Sequence, residues 1–238
     1  MLVQAWADKK SGGSLCVVHG GGDEISALQA KMGRESEFVN GRRITTSEDL
    51  EIVRMVLSGS ANKRLVSALV ATGVPAVGVS GEDAGMIRAR PTDAEKFGRM
   101  GTVTAVSPRL IETLLNAGYL PVISPVARDE TADAGAALNV NGDDAAAAIA
   151  GALNADLVFV ADVEGVINSA GVALSYLDPA SVNDMIESGE VTGGMRAKLE
   201  AAFAALAAGA RTARIGSLAA ITGAEKGTTL VLTPASTR

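Results

Sequence analysis

Residues 138–144 read Leu-Asn-Val-Asn-Gly-Asp-Asp, with an alanine-rich run behind them. The stretch begins as a short extended piece, Ala137–Val140, carrying Asn139. Asn141 and Gly142 then offer a turn and a helix start. Asp143 and Asp144 fall in the first turn of a helix predicted through Ala145–Leu153, where exposed N–H groups carry partial positive charge and favour carboxylates. Alone, this is a well-capped helix. A second stretch repeats the logic. Leu15–Val18 reads as a short, fully buried strand, His19–Gly20–Gly21–Gly22 follows, and a helix is predicted from Asp23 to about Met32. Glycines between a strand and a helix N-terminus let backbone N–H groups approach an anionic oxygen closely.

Composition narrows the setting. The chain has 238 residues, enough for one α/β domain or two small lobes. Aromatic residues are 3% of it and the net charge is −6, which argues against stacked-base recognition and against nucleic acid or an anionic membrane. The single cysteine, Cys16, excludes an internal disulfide and a cysteine metal cluster, and its apolar neighbours suggest buried packing. No apolar run has membrane-spanning length and the first residues are not a signal peptide, so a cytoplasmic protein is expected.

The rest of the chain alternates strands and helices. Phe38–Val39, Asn40–Gly41 and Arg42–Thr45 spell a β-hairpin with the preferred Asn-Gly turn. Arg42 and Arg43 lie just past its tip, one expected to be solvated and the other to reach a carboxylate. Thr45 with Glu48 suggests a capping box for a helix through Leu57. A second helix, Ala61–Ala71, places Leu65, Ala68 and Leu69 on one face. Pro75–Ser80, Tyr119–Ser124, Asp156–Ala161, Arg211–Ile215 and Thr228–Leu232 read as strands, whereas Arg128–Gly135 reads as a loop. Met86–Arg90 and Thr102–Val106 suggest a peripheral hairpin or lid. Gly193–Gly194 opens a long helix, with Lys198 about one turn inside it and pointing back toward its start. The alternation implies a mostly parallel sheet with helices on both faces.

Glycine-rich helix starts, a helical lysine and a helix-capping aspartate are parts for phosphoryl transfer, which needs charge neutralisation and positioning more than a nucleophilic side chain. There is no G-x-x-x-x-G-K-[ST], H-R-D, D-F-G or G-x-S-x-G, and one histidine leaves little for a hydrolytic triad or a histidine metal site. His19 reads as a hydrogen-bonded loop residue.

These residues carry a resemblance. V-V-H-G-G-G at 17–22, G-R-R-I-T at 41–45, S-G-S-A-N-K-R-L at 58–65, L-N-V-N-G-D-D at 138–144, A-D-V-E-G-V at 161–166 and T-G-G-M-R-A-K at 192–198 resemble, in order, the acetylglutamate kinases of the amino acid kinase family. The resemblance implies a three-layer α/β/α sandwich with a mostly parallel central sheet, the carbamate kinase-like fold, as one domain over 1–238. About 1–135 would bind the acyl amino acid and about 136–238 would bind ATP. The implied reaction is phosphorylation of the γ-carboxylate of N-acetyl-L-glutamate, in arginine biosynthesis. Gly21 and Gly22 would hold substrate and transferring phosphate by backbone N–H groups. Arg43 would pair with the substrate α-carboxylate, and Asn139 would bind the acetylated amino acid. Asp143 would orient the catalytic lysines, and Lys198 would neutralise phosphate charge. Asp162, Val163, Glu164, Gly165, Val166 and Ile167, with Glu190, Val191 and Thr192, would line the nucleotide site. Mg²⁺ would be carried by ATP, no protein metal site is implied, and a homodimer is the expected state. In this family a strand ending in Lys-x-Gly-Gly comes first, and it has no counterpart before His19. Lys10–Ser11–Gly12–Gly13 spells the motif but reads as a coincidental loop, so reduced activity and stability are expected. The resemblance also leaves room for a non-catalytic regulatory member, or for a sister kinase acting on another acyl glutamate or a carrier-linked aminoadipate.

Overall fold

The computed structural model describes residues 5–7, 14–39, 42–132, 136–223 and 225–232. Lys10–Gly13 and the Asn40–Gly41 tip lie outside them. The chain divides into two compact units, Lys9–Ala145 and Ala146–Arg238 with Met1–Asp8.

In the first unit the elements run β1 (Val17–Val18), α1 (Gly22–Lys31), β2 (Phe38–Val39), β3 (Arg42–Arg43), α2 (Ser47–Arg54), a π-helical segment (Met55–Ala61), α3 (Asn62–Ala71), β4 (Ala76–Ser80), β5 (Ile87–Pro91), α4 (Ala94–Phe97), β6 (Met100–Val106), α5 (Arg109–Asn116), β7 (Leu120–Ser124), β8 (Val126–Asp129), β9 (Ala137–Val140) and the start of α6 (Gly142–Ala152). Strands β1, β7 and β4 form a parallel sheet with β7 central and buried throughout. The predicted strand at Leu15–Val18 is shorter and less buried than expected. Only Val17 and Val18 pair, and both stay half-buried because, among the described residues, β1 has a partner on one side only. Cys16 is likewise half-buried, and desolvation pushes its thiol up to about 11.

The expected hairpin strands pair as Phe38↔Arg43 and Val39↔Arg42. The capping box shifts by one residue: Thr46 accepts from the Asp49 N–H at 3.1 Å, and the Asp49 carboxylate accepts from the Thr46 N–H at 3.2 Å. Thr45 is fully buried in a bridge to Gly98, with its N–H on the Phe97 carbonyl, so Thr46 is the residue left to cap. The two predicted helices, α2 and α3, are joined through the π segment. Its wider turn changes the helical phase, so Asn62 and Leu69 are buried while Ala68 is exposed. Ile25, Leu50, Ile52, Val53, Val56 and Leu57 form the core beneath these helices. Each such side chain, fully buried, contributes about 1.5–3 kcal/mol.

Strands β5 and β6 pair antiparallel, as the expected hairpin requires, but they are not a peripheral lid. They close with β8 and β9 into a four-stranded barrel. Along β5, Ile87 and Ala89 are buried while Arg88 and Arg90 are exposed, the alternation a closed barrel demands. Its interior is tight: a Cβ on Gly101 would lie 2.8 Å from Leu138 and 3.2 Å from Ala89. Arg128 and Asp129, expected in a loop, belong to the barrel strand β8.

The second unit holds the rest of α6, then β10 (Asp156–Val160), β11 (Tyr176–Leu177), α7 (Pro179–Glu187), α8 (Gly193–Ala207), β12 (Thr212–Gly216) and β13 (Thr228–Leu230). The sheet order is β10-β12-β13-β11. β10 and β12 are parallel, whereas β13 runs antiparallel to β12. A connection without a crossover helix cannot return a strand in parallel, so the alternation rule fails at this last pair. Leu199, Ala202 and Ala205 of α8 pack in one cluster with Phe159, Ala213 and Ile215.

Candidate active site

The site residues expected from the sequence fall in both units. In the first, Gly21 caps α1 with no side chain to occupy the first-turn N–H groups. A Cβ on Gly21 would lie 2.8 Å from Leu57 Cδ2 of the π segment, so packing explains this glycine. Gly20 and Gly22 are different. A Cβ on either meets nothing within 4 Å, and neither has a positive φ. Neither fold strain nor packing accounts for the missing side chains, and the space in front of this helix start stays open. That is the arrangement an anionic ligand held by backbone N–H groups requires.

The two glycine-bearing stretches meet in this unit. A Cβ on Gly142 would lie 3.8 Å from the His19 carbonyl oxygen and 3.9 Å from Gly20 Cα. Asn141 starts α6 by accepting the N–H groups of Asp143 at 2.8 Å and Asp144 at 3.2 Å through Oδ1. Asp143 thus sits in the first helical turn, as the sequence suggested. Asn139 is half-buried on β9, and its Nδ2 donates to Thr45 Oγ1 at 3.1 Å.

Arg43 is buried, and Arg42 is the more exposed of the pair, with Nη2 3.8 Å from Asp144. The Arg43 guanidinium is held by neutral partners, with no carboxylate partner among the described residues. Nη1 donates to Gln29 Oε1 at 2.6 Å and Ser36 Oγ at 2.9 Å. Nη2 donates to the Gly22 carbonyl at 2.8 Å and Ser26 Oγ at 2.9 Å. Its carbon lies 4.6 Å from the centre of the Phe38 ring. A cation is therefore fixed directly beside the α1 start.

Sequence reasoning gave no role to Asn62. It is fully buried and donates to the Val122 carbonyl at 2.9 Å, while its Nδ2 also lies 3.1 Å from His19 Nε2. Its place inside the S-G-S-A-N-K-R-L stretch was the available signal.

In the second unit, Asp162–Ile167 follow the carboxyl end of β10, where parallel strands present loops to ligands. Asp162 and Glu164 are exposed, Gly165 and Val166 are buried, and the Val166 N–H donates to Thr228 Oγ1 at 2.8 Å. Gly165 allows this approach, since a Cβ there would lie 2.8 Å from that hydroxyl. Val191 is buried between the exposed Glu190 and Thr192. Thr192 precedes α8 without a side-chain cap, and Gly193 there takes φ 53°. Lys198 lies one turn inside α8 with Nζ 5.7 Å from the centre of the Phe159 ring.

An α/β chain with an open glycine-rich helix start beside a buried cation, and a second such start followed by a lysine, has the working parts of a small-molecule phosphotransferase. Comparison with known proteins makes this specific. Residues 2–217 match the amino acid kinase family. The chain is 45% identical to acetylglutamate kinase of Geobacillus kaustophilus over 199 residues, 83% of this chain and 76% of that one. It is 46% identical to acetylglutamate kinase of Chloroflexus aurantiacus over 210 residues, 87% of this chain and 82% of that one. Among solved structures, smu.665 from Streptococcus mutans superposes with TM-score 0.87 at 28% identity, covering 98% of this chain and 91% of that one. Carbamate kinase from Giardia lamblia bound to AMP-PNP shares the fold, with TM-score 0.67 at 18% identity over 98% of this chain and 89% of that one. The chain belongs to the amino acid kinase family.

Proposed function

We propose that the chain transfers the γ-phosphoryl group of ATP to the γ-carboxylate of N-acetyl-L-glutamate, the activity for which its relatives are named. The structural observation that carries this reading is the open helix start, where Gly20 and Gly22 have neither a packing nor a conformational reason to be glycine. A carboxylate acceptor is ionised at neutral pH, so the reaction needs no protein general base. A carboxylate oxygen forms a bond to Pγ as the bond from Pγ to the β,γ-bridging oxygen breaks, and ADP leaves with that electron pair. The obstacle is repulsion between acceptor and triphosphate, which N–H dipoles and fixed cations offset.

In this reading the Gly21 and Gly22 N–H groups take the transferring phosphoryl group. Arg43 draws the substrate α-carboxylate by exchanging one of its hydroxyl or amide partners for it. Asn139 takes the acetyl amide, Lys198 neutralises charge on the phosphates, and Asp143 orients the lysine side. Asp162–Ile167 and Glu190–Thr192 hold the nucleotide. Mg²⁺ would arrive on the ATP phosphates and add charge neutralisation there.

The test is ATP-dependent formation of an acyl phosphate, trapped by hydroxylamine as the hydroxamate. N-acetyl-L-glutamate is expected to give product and unacylated glutamate to give little. Equal turnover of both, or none with either, would overturn the assignment.

A further inference from the structure

His19 is the residue of the glycine-rich stretch to which the proposed reaction gives no part. Its surroundings fix its proton. The Asn62 amide lies 2.9 Å from the Val122 carbonyl, which can only accept, so the facing atom is Nδ2. The Asn62 Oδ1 on the other side accepts from Lys63 Nζ at 3.2 Å, which agrees. Nδ2 has a second hydrogen, directed at His19 Nε2 at 3.1 Å, so Nε2 must accept. The ring proton is therefore on Nδ1, which donates to the Gly20 carbonyl at 2.9 Å.

The peptide joining Gly20 to Gly21 is planar and trans, so its carbonyl and N–H point in opposite directions. Holding the Gly20 oxygen toward the imidazole turns the Gly21 N–H away from it. Glycine at both positions would otherwise let this peptide rotate.

We propose that His19 is a positioning residue that, aligned by Asn62, locks the Gly20–Gly21 peptide so that the Gly21 N–H faces the transferring phosphoryl group. The relay runs from the Val122 carbonyl through Asn62 and His19 to Gly20. This rests on the reading of Gly21 as a phosphoryl-binding residue. It acts on turnover more than on substrate binding, because a donor aimed at developing charge matters most in the transition state.

The experiment compares His19→Asn with His19→Gln. Asn keeps a donor at the δ position and Gln moves it to ε. His19→Asn is expected to keep kcat within about threefold of wild type, and His19→Gln to lose ~10²-fold, as for one lost donor of an oxyanion hole. KM for ATP should be nearly unchanged in both, and thermal melts should show both folded. Equal kcat in the two variants, high or low, overturns the proposal. Nitrogen-15 spectra of the wild-type imidazole provide a readout that needs no turnover. A neutral ring protonated on Nδ1 is expected, and the Nε2-protonated form overturns the relay. Absence of wild-type turnover with N-acetyl-L-glutamate would sink the functional reading and leave the tautomer result standing.

Discussion

Arg43 donates to Gln29 Oε1 at 2.6 Å with both residues buried, so the cation beside the α1 start is held from within the fold. Gln29 in turn donates through Nε2 to Asp49 at 2.8 Å, which also accepts from Arg34 at 2.8 Å. Arg43 therefore has two parts to play, one in the fold and one toward substrate. Arg43→Ala should cost about 2–4 kcal/mol of stability, because Gln29 and the Gly22 carbonyl lose a charged donor in a buried place. It should also raise KM for N-acetyl-L-glutamate while leaving KM for ATP nearly unchanged. Denaturant melts and two-substrate kinetics check the two halves separately. Equal losses in both KM values would reduce Arg43 to a folding residue.

Asp49 supplies a pH dependence. Burial pushes its carboxyl up, but hydrogen bonds from Arg34, Gln29 and Thr46 outweigh this and hold it far below the usual carboxylate range. The folded value is depressed, so the stabilisation is present above the unfolded value near 3.8 and is lost as pH falls below it. Asp49→Asn should lower stability at neutral pH by about 1–3 kcal/mol and flatten the acid limb of the melting curve below about pH 4. An unchanged acid limb would show that other carboxylates govern acid unfolding.

His19 acts in a different window. Desolvation lowers its pKa below 6.5, the Gly20 carbonyl and Glu24 oppose the shift, and Arg64 adds to it. Lys63, bonded to Asn62, is the further charge beside the relay. Above pH 6.5 the ring is neutral in both states. As pH falls through 6.5 toward the lower folded value, the unfolded chain takes the proton first and stability drops. The wild type should lose stability between pH 7 and pH 5 relative to His19→Asn. Parallel curves for the two would contradict the placement of the neutral ring.

Lys198 lies over the Phe159 ring at 5.7 Å, a contact worth about 0.5–1 kcal/mol. Thermal melts of Lys198→Ala, run beside the kinetics, separate any structural loss from a catalytic one. If its charge meets the phosphates in the transition state, kcat should fall ~10²-fold or more while calorimetric ATP affinity falls much less. Wild-type turnover in this variant would leave Lys198 as a helix-surface residue.

The parts legible in the sequence are those decided locally. The glycine run after a strand, the pairing of Phe38–Val39 with Arg42–Arg43 and the Asn141–Asp144 helix start each depend on a few neighbouring residues, and each forms where expected. What escaped depends on partners far along the chain. Thr45 and Thr46 are equivalent as caps until Gly98 and Phe97 take Thr45 for pairing. The barrel brings residues near 88 against residues near 128, so nothing local marks β5 as a wall rather than a lid. The π segment has no proline to announce it. The partners of Arg43 come from α1 and Ser36, and the Arg-Arg pair alone could not say which arginine would turn inward.

Gly22 gives the sharpest separation of fold from function. It is the first residue of α1, its φ is not positive, and a Cβ there meets nothing within 4 Å. Alanine forms helix better than glycine by about 0.8–1 kcal/mol in a helix interior, with less to gain at the first position. Gly22→Ala should therefore fold as well as wild type or slightly better. Its methyl group would still project into the space proposed for the phosphoryl group, so turnover should fall ~10-fold or more, as displacements of about 1 Å cost in well-aligned reactions. Gly21→Ala should behave differently. Its Cβ would lie 2.8 Å from Leu57 Cδ2, the end of a movable side chain, so some stability should be lost as well as activity. A stable Gly22→Ala enzyme with full kcat would show that the open space at this helix start is not where phosphate sits.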